Sequence, residues 1–264
     1  MLALGRPLVM GVLNVTPDSF SDGGQFFDPI TAIDHARRMI ADGADIIDIG
    51  AESTRPYGGA EAVPVDEEMQ RLEPILPAIL ELGVPVSIDT MKAAVAVSAL
   101  EAGAAIVNDV WGLQRDPDMA GVVARRGVPV LIMHNRDRAD PAIDIMRDID
   151  AFFSRSLAIA DAAGIAREQI VLDPGIGFGK TPEQSLLVLA RFAELQAFGL
   201  PLMIGASRKR FIDSVSPAPP DRRLGGSLAA HLAAVERGAV IVRTHDVAET
   251  AQALRVDAAI RSAR

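Results

Sequence analysis

The chain has 264 residues, a formal net charge of −9 at pH 7, 49% hydrophobic residues and no cysteine. The absence of cysteine excludes disulfides and thiolate metal sites, and the negative charge argues against nucleic acid as a partner, because nucleic acid requires a basic surface. The chain opens without a charged-then-apolar leader and contains no apolar run long enough to cross a bilayer, so we expect a cytoplasmic protein that does not act at a membrane.

Short apolar runs alternate with stretches of helical periodicity from end to end. Strands are predicted at residues 8–13, 45–49, 85–88, 105–107, 129–133, 170–172, 201–204 and 239–242. The helical stretches between them include 30–42, 67–82, 91–102, 152–163 and 183–198, and Pro74 and Pro77 should kink or break the second of these. Eight such units predict a parallel sheet closed into a (β/α)8 TIM barrel, an α/β fold. With no sign of a boundary, residues 1–264 are predicted to form a single domain.

Local signals mark several helix ends. Thr181 followed by Pro182 and Gln184 predicts an N-cap, a proline in the first turn and a capping box. Gly199 predicts a left-handed end to that helix. Thr90 is predicted to cap the helix at 91–102 in the same way.

Polar residues lie at the carboxyl end of every predicted strand, where barrels of this type form their active sites. They are Asn14, Asp48, Asp89, Asn108 with Asp109, His134, Asp173, Ser207-Arg208-Lys209, and Arg243 with His245. Any one of them has a structural explanation, as a helix cap, a turn former or a buried histidine with satisfied hydrogen bonds. Eight in succession indicate a functional site, because the strand starts carry mostly Pro, Gly and Ala.

These residues fall into two chemical groups. Arg208, Lys209, Arg243 and His245 follow the last two strands, where barrels often bind phosphate, and Arg55 on the second loop could close over the same anion. Asp89, Asn108 and Asp173 suit a flat heterocycle whose ring N–H and amino groups donate hydrogen bonds. The expected ligand therefore joins a polyanionic group to a nitrogen heterocycle.

The glycine-rich stretch 175–181 is not a nucleotide-binding motif. The first glycine of a P-loop would fall on Pro174, and Lys180 occupies the third glycine position of a dinucleotide fingerprint. The glycines instead predict a tight loop with Phe178 available to flank a ring. No spacing of His, Asp or Glu predicts a dedicated metal site, whereas Mg²⁺ held by substrate phosphates and one oxygen such as Asn14 fits the pattern.

Seven motifs in this chain resemble those of the dihydropteroate synthase family. They are Asn-Val-Thr-Pro-Asp-Ser-Phe-Ser-Asp-Gly-Gly at 14–24, Glu-Ser-Thr-Arg-Pro at 52–56, Ser-Ile-Asp-Thr at 87–90, Asn-Asp-Val at 108–110, Leu-Asp-Pro-Gly-Ile-Gly-Phe-Gly-Lys at 172–180, Ser-Arg-Lys at 207–209 and Arg-Thr-His-Asp at 243–246. The resemblance implies a homodimeric barrel of folate biosynthesis and a target of sulfonamides. It implies a transferase that joins 7,8-dihydropterin-6-ylmethyl diphosphate to p-aminobenzoate and releases pyrophosphate.

The same resemblance implies a role for each matching residue. The pterin would contact Asp89, Asn108, Met133, Asp173, Phe178 and Lys209; the pyrophosphate would contact Asn14, Arg243 and His245, with Mg²⁺ on Asn14; and p-aminobenzoate would contact Thr54, Arg55, Pro56 and Ser207. The expected catalytic residues are Asn14, Asp89, Lys209, Arg243 and His245. Pyrophosphate would leave first, and the amine would attack a pterin-stabilised cation. We therefore expect Asp89 to act through its charge as well as by binding, rather than by taking a proton.

Two alternatives remain from the residues alone. A pterin-binding methyltransferase barrel for methyltetrahydrofolate would share the carboxylates, but it has no need of both the Ser-Arg-Lys motif and the Thr-Pro-Asp-Ser-Phe loop. A catalytically inactive paralogue would be expected to lose the anion-binding residues first, and here they are intact. Tyr57 and Arg136 depart from the family pattern and are expected to bear on loop closure and p-aminobenzoate affinity.

Overall fold

The computed structural model describes residues 5–15, 28–52 and 63–263. Eight parallel strands pair in chain order and close into a barrel, which confirms the predicted (β/α)8 fold. The strands are β1 Leu8–Asn14, β2 Ile46–Gly50, β3 Val86–Asp89, β4 Ile106–Asp109, β5 Val130–Met133, β6 Ile170–Asp173, β7 Leu202–Ile204 and β8 Ala239–Thr244. The α-helices of the described ranges are α1 Pro29–Asp42, α2 Val65–Leu72, α3 Leu76–Leu80, α4 Ala93–Ala102, α5 Met119–Arg126, α6 Ile145–Ala163, α7 Pro182–Ala190, α8 Arg210–Val215, α9 Leu224–Glu236 and α10 Val247–Ser262.

The interior of the barrel is apolar near the amino-terminal ends of the strands, here called its floor, and polar near their carboxyl-terminal ends. Alternate side chains of the strands form a buried inner cluster, consisting of Leu8, Met10, Ile46, Ile106, Leu131, Val171, Met203 and Ile241. The intervening side chains face outward and pack against the helices in a second, larger cluster. Successive side chains of a strand point to opposite faces, so the residue two positions beyond each floor residue again faces inward. On β2, β4, β6 and β8 those residues are Asp48, Asn108, Asp173 and Arg243.

Some predicted helix ends are confirmed and others are corrected. The α-helix predicted at 183–198 ends at Ala190, and a 3-10 helix, Phe192–Phe198, continues to Gly199, which has the predicted left-handed conformation with φ of +64°. The Thr181 hydroxyl accepts a hydrogen bond from Gln184 N at 3.1 Å, and the Gln184 side chain accepts one from Thr181 N at 2.9 Å. The prediction that Thr90 caps its helix was wrong. Helix α4 begins at Ala93, and the Ala93 N–H donates to the Asp116 carboxylate at 2.8 Å. A cap supplied from 23 residues away cannot be recognised from the sequence around the helix.

The break predicted in 67–82 is confirmed, because α2 ends at Leu72 and α3 begins at Leu76, one residue before Pro77. The helix predicted at 152–163 is longer than expected. It begins at Ile145, where the Asp144 carboxylate caps its first turn. No helix in the described part of the chain is both long and apolar enough to span a membrane.

His231 on α9 is buried, and neither ring nitrogen has a hydrogen-bond partner among the described residues. Burial lowers the pKa of His231 to about 4. When the pH falls below about 6.5, His231 therefore becomes protonated in the unfolded chain but stays neutral in the folded chain. The free energy of unfolding decreases as a result. We expect His231→Leu to raise the free energy of unfolding by about 1 kcal/mol near neutral pH and by more at about pH 5.5, measured by urea denaturation.

The matched control for this prediction is His134→Leu. Both ring nitrogens of His134 are hydrogen-bonded, so removing that imidazole should destabilise the protein at both pH values. A His231→Leu variant no more stable than the wild type would contradict the prediction.

Candidate active site

The guanidinium of Arg243 lies at the centre of the site, between two buried carboxylates. Its Nε donates to Asp48 Oδ2 at 2.7 Å, and its Nη2 donates to Asp89 Oδ2 at 2.8 Å. The Asn108 side-chain amide donates to the same oxygen of Asp48 at 3.0 Å. Although burial opposes the charge, the two carboxylates raise the pKa of Arg243 above its ordinary value. Barrel closure therefore assembles one cation and two carboxylates from β2, β3 and β8.

Asp48 is the site residue to which the sequence analysis assigned no role. Its place near the carboxyl end of a predicted strand indicated no specific role, although it is fully buried and accepts hydrogen bonds from both Arg243 and Asn108. The signal that could have found it is its position on β2, two residues beyond Ile46 and therefore on the interior face.

Several buried acceptors at this end of the barrel have no hydrogen-bond partner within the described ranges. They include Asp48 Oδ1, Asp89 Oδ1 and Asn108 Oδ1. A buried acceptor without a donor costs about 1–3 kcal/mol, so these atoms suit a ligand that brings N–H groups into the site. Burial also raises the pKa of Asp89 to about 7.

The opposite wall of the site comes from β5 to β7 and the turn after β6. Asp173 Oδ1 accepts a hydrogen bond from Gly175 N at 2.8 Å. Lys209 Nζ donates to the Ile176 carbonyl and lies 4.4 Å from the ring centroid of Phe178. Burial lowers the pKa of Lys209 to about 7 and raises the pKa of Asp173. Met133 is buried on β5, at an interior position of that strand.

The loops after β7 and β8 are joined by two pairs of side chains. Ser207 Oγ lies 3.0 Å from His245 Nδ1 and accepts a hydrogen bond from the backbone N–H of His245 at 3.2 Å. The Arg208 guanidinium pairs with the Asp246 carboxylate, with Nε 3.0 Å from Oδ2. The prediction that Arg208 binds the anion stays a prediction, and in this structure its guanidinium links the loops after β7 and β8.

Comparison with known proteins identifies the family. Residues 10–245 match the family described as pterin binding enzyme. A dihydropteroate synthase from Bacillus subtilis (strain 168) is 48% identical over 248 residues, which cover 94% of this chain and 86% of that protein. The chain belongs to the dihydropteroate synthase family. The resemblance found in the sequence is thereby confirmed, the enzyme is a transferase of that type, and the methyltransferase alternative is not supported.

Solved structures of dihydropteroate synthases have the same fold. The Clostridium difficile enzyme in the presence of pteroic acid is 48% identical with a TM-score of 0.92, and 97% of each chain is covered. The Xanthomonas albilineans enzyme with 4-aminobenzoic acid is 42% identical with a TM-score of 0.93, covering 98% of this chain and 94% of that one.

Two of the polar residues that follow strands lie outside this synthase site. The His134 ring is fully buried and lies 3.0 Å, Nε2 to Oδ2, from Asp148 on α6. Asp109 accepts hydrogen bonds from the N–H groups of Trp111 and Leu113 at 2.9 and 2.7 Å, so it forms a turn. Asp109 ends β4 at an outward-facing position, and His134 directly follows β5 and also faces outward. For this reason neither side chain reaches the barrel axis.

Part of the predicted site lies outside the described residues. Thr54, Arg55 and Pro56, expected to contact p-aminobenzoate, belong to that part, as does Tyr57. Asn14 is described and lies half-buried at the end of β1, beside Gly50 of β2. Within the described ranges, no group of three or more His, Asp or Glu side chains could hold a metal ion.

The backbone of Arg208 is in the left-handed region, with φ of +58°, which is unusual for a residue other than glycine. Its N–H donates to Ser227 Oγ at 2.9 Å, and this bond with the Asp246 pair holds the conformation. Arg208→Ala and Arg208→Gly both remove the pair, but glycine tolerates this φ. We expect Arg208→Gly to be the more stable variant by about 1 kcal/mol in urea denaturation. Equal stabilities would show that the backbone conformation stores no strain.

Proposed function

We propose that this site joins 7,8-dihydropterin-6-ylmethyl diphosphate to p-aminobenzoate and releases pyrophosphate, giving 7,8-dihydropteroate. The observation that carries the proposal is the pairing of Arg243 with Asp48 and Asp89, beside buried acceptors that have no donor among the described residues. A cation suited to an anion thus adjoins acceptors suited to a heterocycle. The presence of pteroic acid in one relative's structure and of 4-aminobenzoic acid in another supports both substrate classes.

The pterin would be recognised by complementary hydrogen bonds. Asp89, Asn108 and Asp173 would accept from its ring N–H and amino groups, and the Lys209 ammonium would donate to a ring acceptor. Lys209 already bonds a backbone carbonyl and lies over Phe178, so its charged end is held in place before the substrate arrives. Met133 and Phe178 would line the faces of the ring.

The diphosphate would meet Arg243, His245 and Asn14. Arg243 carries a raised pKa, so it stays charged, and it is the strongest anion ligand of the three. Asn14 would hold Mg²⁺ through its side-chain oxygen. A hard cation held largely by substrate phosphates needs only one or two protein oxygens, and one half-buried amide at a strand end fits that requirement. When bound, Mg²⁺ would supply positive charge to the leaving group.

The reaction would proceed by ionisation. The bond between the pterin methylene carbon and the diphosphate oxygen breaks, and its electron pair leaves with the diphosphate, whose charge Arg243 and His245 offset. The Asp89 carboxylate stabilises the pterin cation that remains. The amine nitrogen of p-aminobenzoate then forms the new C–N bond with its lone pair, and the resulting ammonium transfers one proton to water. A neutral aromatic amine attacking a cation needs little activation, so no general base is assigned.

The p-aminobenzoate would bind beside Ser207, whose hydroxyl is oriented by His245, together with Thr54, Arg55 and Pro56.

We propose that the protein acts in the cytoplasm as a single-domain homodimer. Leu187 on α7 and Val215 on the neighbouring α8 are 42% and 67% exposed and would suit such an interface. A monomer in light scattering at micromolar concentration would contradict the homodimer.

The function is tested by measuring pyrophosphate release from the dihydropterin diphosphate with and without p-aminobenzoate. We expect release to depend on p-aminobenzoate and to match the amount of dihydropteroate formed. An inactive paralogue would bind the pterin and release nothing. Release without incorporation of p-aminobenzoate would overturn the proposed reaction.

Sulfonamides carry the aromatic amine of p-aminobenzoate and should compete with it. We expect a sulfonamide at micromolar concentration to raise the apparent KM for p-aminobenzoate and to leave kcat unchanged. The measurement is a set of initial rates at several concentrations of both compounds. Activity untouched by the drug would contradict the proposed p-aminobenzoate site.

A further inference from the structure

Lys180 is a buried charged residue to which the proposed reaction assigns no contact with substrate. It ends the turn of residues 174–180 after β6 and is only 1% exposed. Its Nζ lies 2.6 Å from His134 Nδ1, 2.9 Å from the Gly175 carbonyl oxygen and 3.1 Å from the Phe178 carbonyl oxygen. These three acceptors, all within the described part of the chain, match the three N–H bonds of an ammonium group.

The state of His134 follows from its other partner. The ring Nε2 lies 3.0 Å from Asp148 Oδ2, and Arg136 lies 2.9 Å from the same oxygen. The hydrogen bond from His134 holds the pKa of Asp148 well below its usual range, whereas burial lowers the pKa of His134 to about 3. The imidazole is therefore neutral, with its proton on Nε2 facing the carboxylate, and its Nδ1 lone pair accepts from Lys180.

Burial lowers the pKa of Lys180, and the charges of Asp173 and Asp148 oppose that shift. Neutral Lys180 could donate to only two of its three acceptors. The surroundings therefore favour the ammonium, which a chain of polar groups connects through His134 to α6.

The carbonyls that Lys180 holds belong to the wall of the pterin site. The same turn presents Phe178 to Lys209, and its Ile176 carbonyl accepts from Lys209. The turn is also packed tightly on the residues after β5. A Cβ on Gly175, where φ is +65°, would lie 2.0 Å from the His134 carbonyl oxygen, and one on Gly179 would lie 2.4 Å from Arg136 Cβ. The position of this wall is thus set by the contacts of the turn with residues 134–136.

We infer that Lys180 and His134 are positioning residues for pterin recognition, which hold the 174–180 turn so that Phe178 and Lys209 meet the ring. This inference rests on the proposed function. It assigns neither residue a contact with substrate. Loss of the Lys180–His134 bond should therefore weaken binding of the pterin and leave binding of p-aminobenzoate unchanged.

Two substitutions of His134 separate its two hydrogen bonds. In His134→Asn the amide oxygen can occupy the place of Nδ1 and keep the acceptor for Lys180, whereas the bond to Asp148 is lost. In His134→Gln the amide can reach Asp148, whereas the acceptor for Lys180 is lost. We expect His134→Gln and Lys180→Met to raise the KM for the pterin diphosphate about tenfold or more, with the KM for p-aminobenzoate unchanged, and His134→Asn to stay close to wild type.

Gln184→Ala serves as a control for general destabilisation. It removes the capping box of α7 and the bond to the Asp140 carbonyl, but it leaves the Lys180 contacts intact. We expect it to lower stability with both KM values unchanged. Calorimetric titration with a pterin that lacks the p-aminobenzoyl group measures pterin affinity apart from turnover and applies to any folded variant, including one that is inactive.

The inference is overturned if both KM values rise together in His134→Gln, if neither rises, or if His134→Asn is impaired as strongly as His134→Gln. A Lys180→Met chain that fails to fold leaves the comparison of the two His134 variants decisive. Wild-type enzyme without p-aminobenzoate-dependent release would contradict the proposed function. If the wild type is active but His134→Gln does not raise the KM for the pterin diphosphate above that for p-aminobenzoate, only the positioning role is contradicted.

Discussion

Replacing Arg243 with methionine is expected to lower kcat/KM for the pterin diphosphate by roughly a thousandfold. The guanidinium is the strongest cation at the proposed position of the leaving diphosphate, and it also pairs two buried carboxylates at 2.7 and 2.8 Å. Its loss leaves both carboxylates uncompensated, so the free energy of unfolding should fall by about 3–5 kcal/mol as well. Initial rates and urea denaturation measure the two effects.

A double variant distinguishes the catalytic effect of Arg243 from its structural one. Adding Asp48→Asn to Arg243→Met removes one uncompensated charge, so part of the stability should return while the activity does not. Arg243→Lys keeps a positive charge that cannot span Asp48 and Asp89 together. Its activity and stability should lie between those of the wild type and those of Arg243→Met. If stability and activity return together, Arg243 serves the fold and not the leaving group.

The second large effect is expected at Asp89, where Asp89→Asn should lower kcat/KM for the pterin diphosphate by roughly a hundredfold. Asp89 must be ionised to accept hydrogen bonds and stabilise a cation, and burial raises its pKa to about 7. Activity should therefore fall as the pH is lowered through about 7. Lys209 must be protonated, and its pKa is lowered to about 7, so activity should fall above that pH too. A pH profile of kcat/KM measures both limbs.

The variants should change this profile separately. Asp89→Asn should abolish the acid limb, and Lys209→Arg, which stays charged, should abolish the alkaline limb. Asp109→Asn is the matched control, because burial also raises the pKa of Asp109, to about 6, although its carboxylate serves a turn. We expect that variant to keep the wild-type profile. An Asp89→Asn enzyme that binds the pterin and turns over normally would refute the assigned role.

The local parts of the fold were predictable from residue patterns. All eight strands lie within two residues of their predicted ends, and Thr181 caps its helix as predicted. These features depend on residues close together in the chain, such as an apolar run or a hydroxyl three residues before a glutamine. The cap of α4 was missed because Asp116 reaches it from a distant segment.

The candidate site was predictable in composition and only partly in arrangement. The motifs named Asp89, Asn108, Asp173, Lys209 and Arg243, and these meet at one end of the barrel. Asp48 was not assigned a role, and its bond to Arg243 spans 195 residues of sequence. No pattern of neighbouring residues reports a pair that forms only when the last strand closes on the first.

By itself, the sequence determined the order of the βα units, the polar strand ends and the family to which the chain belongs. The tertiary structure decided which of those polar residues share a site. Asp48 on β2 faces the barrel axis and His134, directly after β5, faces the helices. The physical reason is that alternation along a strand defines two faces, but closure of the barrel determines which face becomes the interior.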